Sequence, residues 1–177
     1  WNEQSAEWAN ADVHPTAIVD LGARLGNGVI LGPYSIIGPG VTIGDGTIIG
    51  SHVLVERDTT IGKQCHIAQG AVIGTDPQDL KYEGEASHLY VGDRTVIREY
   101  ATLNRGTRAS RKTVIGSDCL IMAYVHVAHD CEIGNHVVIS NAVNMAGHVV
   151  IEDWVIIGGV TAIHQFVRIG AHSFCGG

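Results

Sequence analysis

Aliphatic residues fall six apart along most of this chain. Val13, Val19, Leu25, Leu31, Ile37, Ile43, Ile49, Val55, Ile61, Ile67 and Ile73 hold one phase. The phase returns at Val91, Ile97 and Leu103, and again from Ile115 through Ile169. A glycine or another small residue usually follows, as in Ile43-Gly44, Ile61-Gly62 and Ile115-Gly116. A period of six matches neither the ~3.6 of a helix nor the ~2 of a lone strand. It fits an all-β chain built as a parallel β-helix. Each hexad is one short strand plus a corner, and three hexads close a coil. The aliphatic side chain points into a narrow interior, where β-branched Val and Ile suit stacked strands. The small residue lets the backbone turn. Such a column builds a rod and says nothing about activity, so any chemistry has to come from departures from it.

The 177 residues suffice for one domain of roughly nine to ten coils at about 18 residues each. The formal net charge of -7 argues against general nucleic-acid binding. No apolar run approaches the roughly 18 residues of a membrane helix, and no secretory signal is visible. Cys65, Cys119, Cys131 and Cys175 match neither CxxC nor a zinc pattern. Most sit at small-residue slots of the hexad, which predicts buried, inert thiols and is consistent with a cytoplasmic protein. The basic residues cluster: Arg94, Arg98, Arg105, Arg108, Arg111 and Lys112 are six of the eleven Lys and Arg, within 19 residues. Two readings stand for them, a solvated loop or a docking patch for an acidic partner or a phosphate.

Residues 1–10 lie outside the repeat and read as a leader or expression remnant; residues 11–177 form the β-helix domain. The hexads break twice. Asp79 and Glu85 stand in aliphatic slots and cannot be buried unpaired in a narrow core, which predicts an external loop near 75–88. The phase resumes at Val91, one coil's worth after Ile73. A second loop is expected at 106–112, where Ala109 replaces an aliphatic. Loops on rigid scaffolds often carry function, and Gln78, Asp79 and Lys81 have the chemistry to grip a sugar or phosphate.

Residues 18 apart stack on successive coils, about 4.8 Å apart. By that arithmetic His129 leads to Gly147, next to His148, and then to Gln165, next to His164. His126 leads to Asn144. His126, His129, Gly147, His148, His164 and Gln165 therefore gather along one edge. Zinc is one chemistry for such an edge, but no pair of histidines is five apart, the spacing of the known zinc-binding β-helix sites. No metal and no cofactor are predicted. Acid–base catalysis is the other: a neutral histidine accepts a proton from an alcohol as it attacks an acyl carbon, worth about 10²- to 10⁴-fold. Asp130 is available to orient a ring, and the N–H of Gly147 to hold an oxyanion. No Ser or Cys nucleophile stands out beside a histidine of this edge, which favours direct transfer over a covalent acyl-enzyme.

Several motifs carry a resemblance. They are His14-Pro15-Thr16-Ala17-Ile18-Val19, Gln78-Asp79-Leu80-Lys81-Tyr82, Ile97-Arg98-Glu99 and Asn104-Arg105-Gly106-Thr107. Ala128-His129-Asp130-Cys131, Ala146-Gly147-His148, Ile157-Gly158-Gly159 and His164-Gln165-Phe166 complete them. From about Asp12 to Gly177 the sequence resembles the bacterial UDP-N-acetylglucosamine O-acyltransferases of lipid A synthesis. The resemblance implies a left-handed β-helix, a homotrimeric prism and sites between neighbouring subunits. It implies transfer of an (R)-3-hydroxyacyl chain from acyl carrier protein to the 3-hydroxyl of UDP-N-acetylglucosamine, in the cytoplasm. His129 matches the general base, Asp130 its carboxylate, and Gly147 the oxyanion glycine. Gln78, Asp79, Lys81, His126, His148, His164 and Gln165 match substrate positions, and Gly177 one that sets acyl length. The family continues with further coils and a helical domain, so a chain ending at Gly177 is expected to be a fragment or a short relative. Two alternatives remain: another hexapeptide-repeat acyltransferase, and a catalytically silent β-helix module.

Overall fold

The computed structural model describes Trp8 and residues 10–176. Within them, 25 short strands form three parallel sheets of nine, eight and eight strands. Each strand pairs with the third one after it, so three sides of a prism are laid down in turn. The result is a left-handed parallel β-helix. Most strands are two residues long, the first facing outward and the second inward, as in Ile30–Leu31 and Ile48–Ile49. The inward residues Leu31, Ile49, Ile67, Ile97, Ile121, Ile139 and Ile157 are at most 1 % exposed. Each such side chain contributes about 1.5–3 kcal/mol by leaving water. Cys65, Cys119 and Cys131 fill the small buried slots as free thiols, and Cys175 stands opposite Ile157 in the last coil. Burial pushes the Cys131 thiol up to about 12, which keeps it protonated and unreactive.

The corners carry a second regularity. One residue per corner adopts a left-handed backbone, among them Tyr100 (φ 59°), Tyr124 (φ 60°), Asp130 (φ 58°) and His148 (φ 61°). Non-glycine residues in this region cost roughly 1–2 kcal/mol each. The corner backbone bonds to the coil beside it offset that strain, as in His148 N–H to His129 C=O at 3.1 Å.

The 18-residue stacking holds over both ends, for example His126 beside Asn144 and Ile48 beside Ile30. In the middle it does not. Val72 pairs with Thr102, and Leu103 with Val127. These separations of 30 and 24 residues place extra hexads outside the coil. Val91 accordingly does not sit on Ile73. It pairs with Ile61 and Ile115 on the next side of the prism. The additional segments, residues 76–87 and 106–111, contain whole multiples of six, so the sequence phase survives them while the stacking partner changes. They also absorb a coil's worth of chain: the structure has eight complete coils and one further strand, below the nine to ten expected.

Trp8, in the segment ahead of the repeat, packs against the prism. It is 3 % exposed, and its indole N–H donates to the Ala23 carbonyl at 3.0 Å. It packs into the apolar cluster at that end of the prism.

Candidate active site

Both additional segments leave the prism at the same edge, between the second and third sheets, and that edge carries His129. The first lies between strands Val72–Thr75 and His88–Val91, the second between Thr102–Asn104 and Lys112–Ile115. His129 and Asp130 occupy the same edge one coil on, followed by His148 and then Phe166.

Asp130 is the most heavily bonded group of the site. Its side chain is fully buried. Oδ1 accepts the Ser110 N–H at 3.2 Å, the Thr107 N–H at 3.1 Å and the Ser110 hydroxyl. Oδ2 accepts the Thr107 hydroxyl at 2.6 Å and faces His129 Nδ1 at 2.8 Å. Burial alone would raise this carboxyl. The hydrogen bonds from Ser110, Thr107 and His129 outweigh burial and hold it at about 2. Asp130 is thus ionised at neutral pH and only accepts. His129 Nδ1 therefore carries a proton toward it, and in the neutral ring this leaves the lone pair on Nε2.

Gly147 is the seat of that ring. A Cβ added there would lie 2.5 Å from His129 Cε1 and 2.7 Å from Nε2, so only glycine lets the imidazole lie where it does. His148 meets His129 edge-on, with centroids 5.1 Å apart, and stacks on Phe166 at 4.8 Å. His126 Nδ1 bonds the Thr102 hydroxyl at 2.8 Å. Burial first, and the neighbouring His129 second, lower its pKa, which favours the neutral ring.

An open groove of about 630 Å³ runs over these groups. Gln78, His126, His129, Asn144, Gly147, His164 and Gln165 line it. A smaller pocket of about 150 Å³ takes in Asp79, Lys81, Glu85, Thr107, Arg108 and His148. The residues expected from stacking arithmetic and from the first loop are thus brought together. Gly177 lies outside the described residues. Met145, Ala162 and Ile163 add an apolar stretch to the groove that the motifs did not reveal.

His129, Asp130 and His148 bring possible ligand atoms within 4.8 Å of one another, close enough for a metal ion. The donor set opposes one: both Asp130 oxygens already accept N–H and O–H groups, and a cation would have to displace them. The arrangement instead suits a histidine that accepts a proton at Nε2 and shares the resulting charge with Asp130.

The basic cluster divides into buried, paired and exposed members. Arg105 is 1 % exposed and runs inward. It donates to the Gly74 carbonyl at 2.5 Å, to the Tyr82 hydroxyl at 3.2 Å and to Asp76. Arg94 pairs with Asp118 at 2.7 Å, and Arg98 with Glu99 at 3.0 Å. Arg108 is exposed and pairs with Glu83 at 3.8 Å, while Arg111 and Lys112 are exposed and form no ion pair among the described residues. The sequence reading missed Arg105, Thr107 and Ser110, which build the site from behind.

Comparison with known proteins follows this geometry. The Bacterial transferase hexapeptide (six repeats) family model matches residues 22–57 and 112–147. Over 119 residues the chain is 67 % identical to the acyl-[acyl-carrier-protein]–UDP-N-acetylglucosamine O-acyltransferase of Chlorobaculum parvum. That alignment spans 67 % of this chain and 45 % of the relative. The solved UDP-N-acetylglucosamine O-acyltransferase of Moraxella catarrhalis superposes with a TM-score of 0.91 at 46 % identity, over 93 % of this chain and 65 % of that one. The Bacteroides fragilis enzyme superposes with a TM-score of 0.68 at 33 % identity, over 91 % and 69 %. The chain spans less than half the length of the curated relatives it matches. With the fold, the edge of histidines and these likenesses together, the chain belongs to the UDP-N-acetylglucosamine O-acyltransferase family.

Proposed function

We propose that this chain transfers an (R)-3-hydroxyacyl group from acyl carrier protein to the 3-hydroxyl of UDP-N-acetylglucosamine, the opening step of lipid A synthesis. The observation that carries the reading is the buried His129–Asp130 pair, 2.8 Å apart, at the floor of a groove wide enough for a substrate. His129 Nε2 takes the hydroxyl proton as the sugar oxygen attacks the thioester carbonyl. Asp130 stabilises the imidazolium, and the Gly147 N–H faces the oxyanion. The carbon–sulfur bond then breaks, and His129 returns its proton to the departing thiolate. Gln78, His126, His164 and Gln165 hold the nucleotide sugar along the groove, and Asp79, Lys81 and His148 close its other end. The apolar stretch at Met145, Ala162 and Ile163 starts the path of the acyl chain. No metal or cofactor takes part.

The working unit is a homotrimer. The outward positions of the nine-stranded sheet include Ile30, Ile48, Leu120, Val138, Ile156 and Phe174. Those of the third sheet include Arg24, Thr42, Thr60, Glu132 and Arg168. The first of these faces is thus mostly apolar, and the third sheet, which also turns Tyr90, Val114 and Val150 outward, is mixed. A head-to-tail contact that places the apolar face against the second sheet of a neighbour closes into a ring. It also sets the neighbour beside the groove. Among the described residues, no helix is long and apolar enough to cross a membrane. The free thiols fit a reducing cytoplasm.

The test is transfer of 3-hydroxyacyl groups from acyl carrier protein to UDP-N-acetylglucosamine by this chain and by His129→Ala. Transfer that drops about 10²- to 10⁴-fold in the variant, with the circular dichroism spectrum unchanged, is the expected result. A folded chain that transfers nothing, or a variant of near-normal turnover, overturns the proposal.

A further inference from the structure

The additional segment 106–111 has no part in the prism, yet it sends both its side-chain hydroxyls and two of its backbone N–H groups to a single carboxylate. We propose that Thr107 and Ser110 are positioning residues that set the proton-accepting strength of His129 by saturating the Asp130 carboxylate. The proposal deepens the reading of His129 as the base and rests on it.

The argument is one of charge distribution. A carboxylate with one partner places most of its charge against that partner. Asp130 accepts from four neutral donors besides the His129 ring N–H: the backbone N–H and hydroxyl of Thr107, the latter at 2.6 Å, and the same pair from Ser110. Spreading the charge over them weakens its pull on the imidazole. The ring is still oriented, but its protonated form is stabilised less. A weaker pull favours the unprotonated ring, the form in which a base can act. The same segment is fixed to the first one. Glu85 accepts the Arg108 N–H at 2.9 Å, and Glu85 and Arg108 line the smaller pocket with Asp79 and Lys81. The cap over Asp130 is thereby held by the loop that carries the sugar-binding groups.

The titratable groups facing His129 and Asp130 are His126 on the preceding strand and His148 on the coil beyond. His164 lies across the groove, and Asp79, Lys81, Glu85 and Arg108 surround the smaller pocket. None of them changes when the two hydroxyls are removed.

The experiment uses the full chain and the double variant Thr107→Val, Ser110→Ala. The titration of His129 is followed through its Cε1 proton by NMR, with the signal assigned by its absence in His129→Gln. The midpoint in the double variant is expected to rise by roughly one pH unit. The acid limb of the transfer rate rises with it, so activity at pH 6.5 falls severalfold while the alkaline plateau and the KM for nucleotide sugar hold. Thr107→Ser, which keeps the hydroxyl, restores the wild-type midpoint. A folded double variant whose midpoint stays in place or falls overturns the proposal. If the double variant does not fold, Ser110→Ala alone carries the same comparison, with a smaller shift in the same direction expected. The NMR arm needs no turnover, so a chain inactive in transfer still decides this question separately from the proposed reaction.

Discussion

Gly147 and Asp130 show how little freedom the site leaves to single residues. Gly147→Ala would put a methyl group 2.5 Å from the His129 ring, a contact that no rigid neighbour tolerates. The ring has to swing off its seat, because Asp130 is clamped from the other side. The expected outcome is a folded protein with transfer reduced about 100-fold, measured as kcat; turnover within twofold of wild type would refute this placement of the ring. Asp130 also ties stability to pH. Its folded pKa of about 2 lies below the ~3.9 of an unfolded aspartate. Its contribution is therefore complete above about pH 4 and is lost as pH falls toward 2. The size is on the order of 2 kcal/mol. Urea unfolding between pH 5 and 2 is expected to show that loss in the wild type and a flatter profile in Asp130→Asn. Equal slopes would mean that Asp130 is not the group responsible.

The two loops are the elements that turn a rod into a site, and Arg105 joins them. It lies just before the second loop and reaches into the base of the first, to Gly74, Asp76 and Tyr82. Burial opposes the ionised form of Asp76, but the charge of Arg105 and bonds from Arg57 and Tyr82 win and lower its pKa. Replacing Arg105 by leucine strands the Gly74 carbonyl and removes the stronger partner of Asp76. Breaking such a buried pair costs roughly 3–5 kcal/mol, and the half-exposed Asp76, which also contacts Arg57 at 3.4 Å, puts this case at the lower end. The expected result is a lower unfolding midpoint in urea together with faster proteolysis within residues 76–87. An unchanged midpoint would show that the loop stands without Arg105. Reading the cluster from charge alone missed this, because a guanidinium that turns inward and one that faces water look the same in a sequence.

At the scale of the whole molecule, the three faces differ in kind, and that difference predicts assembly. The outward row of the nine-stranded sheet is mostly apolar, interrupted by Asp12 and His66, and its Ile30, Ile48 and Ile156 are 41 %, 39 % and 43 % exposed. Contiguous exposed apolar patches mark contact surfaces. Sedimentation equilibrium is expected to give three times the 18.8 kDa chain mass. The double variant Ile48→Glu, Leu120→Glu is expected to give single chains, because like charges stacked on a buried face repel and desolvate badly. A monomeric wild type would remove the neighbour from the proposed site. The mixed third sheet predicts the converse: Thr42→Glu leaves the mass unaltered.

The sequence by itself determined the coil. A six-residue period with one inward aliphatic is a local rule, repeated until chance cannot explain it, and inward-facing Ile and Val have no other place to go. It also determined the edge at the C-terminal half, because 18-residue stacking holds from His126 to Gln165 without interruption. The tertiary structure decided everything that crosses the two loops. The breaks at Asp79, Glu85 and Ala109 mark the loops, but their lengths are multiples of six, so the hexad phase resumes after them unshifted while every stacking partner changes; Val91 beside Ile61 rather than Ile73 is the plainest case. Thr107 and Ser110 reach Asp130 from 23 and 20 residues away, off the repeat, where no period predicts a contact. The buried hydrogen bonds that ready His129 depend on chain segments free of the lattice. Only folding shows where such segments come to rest.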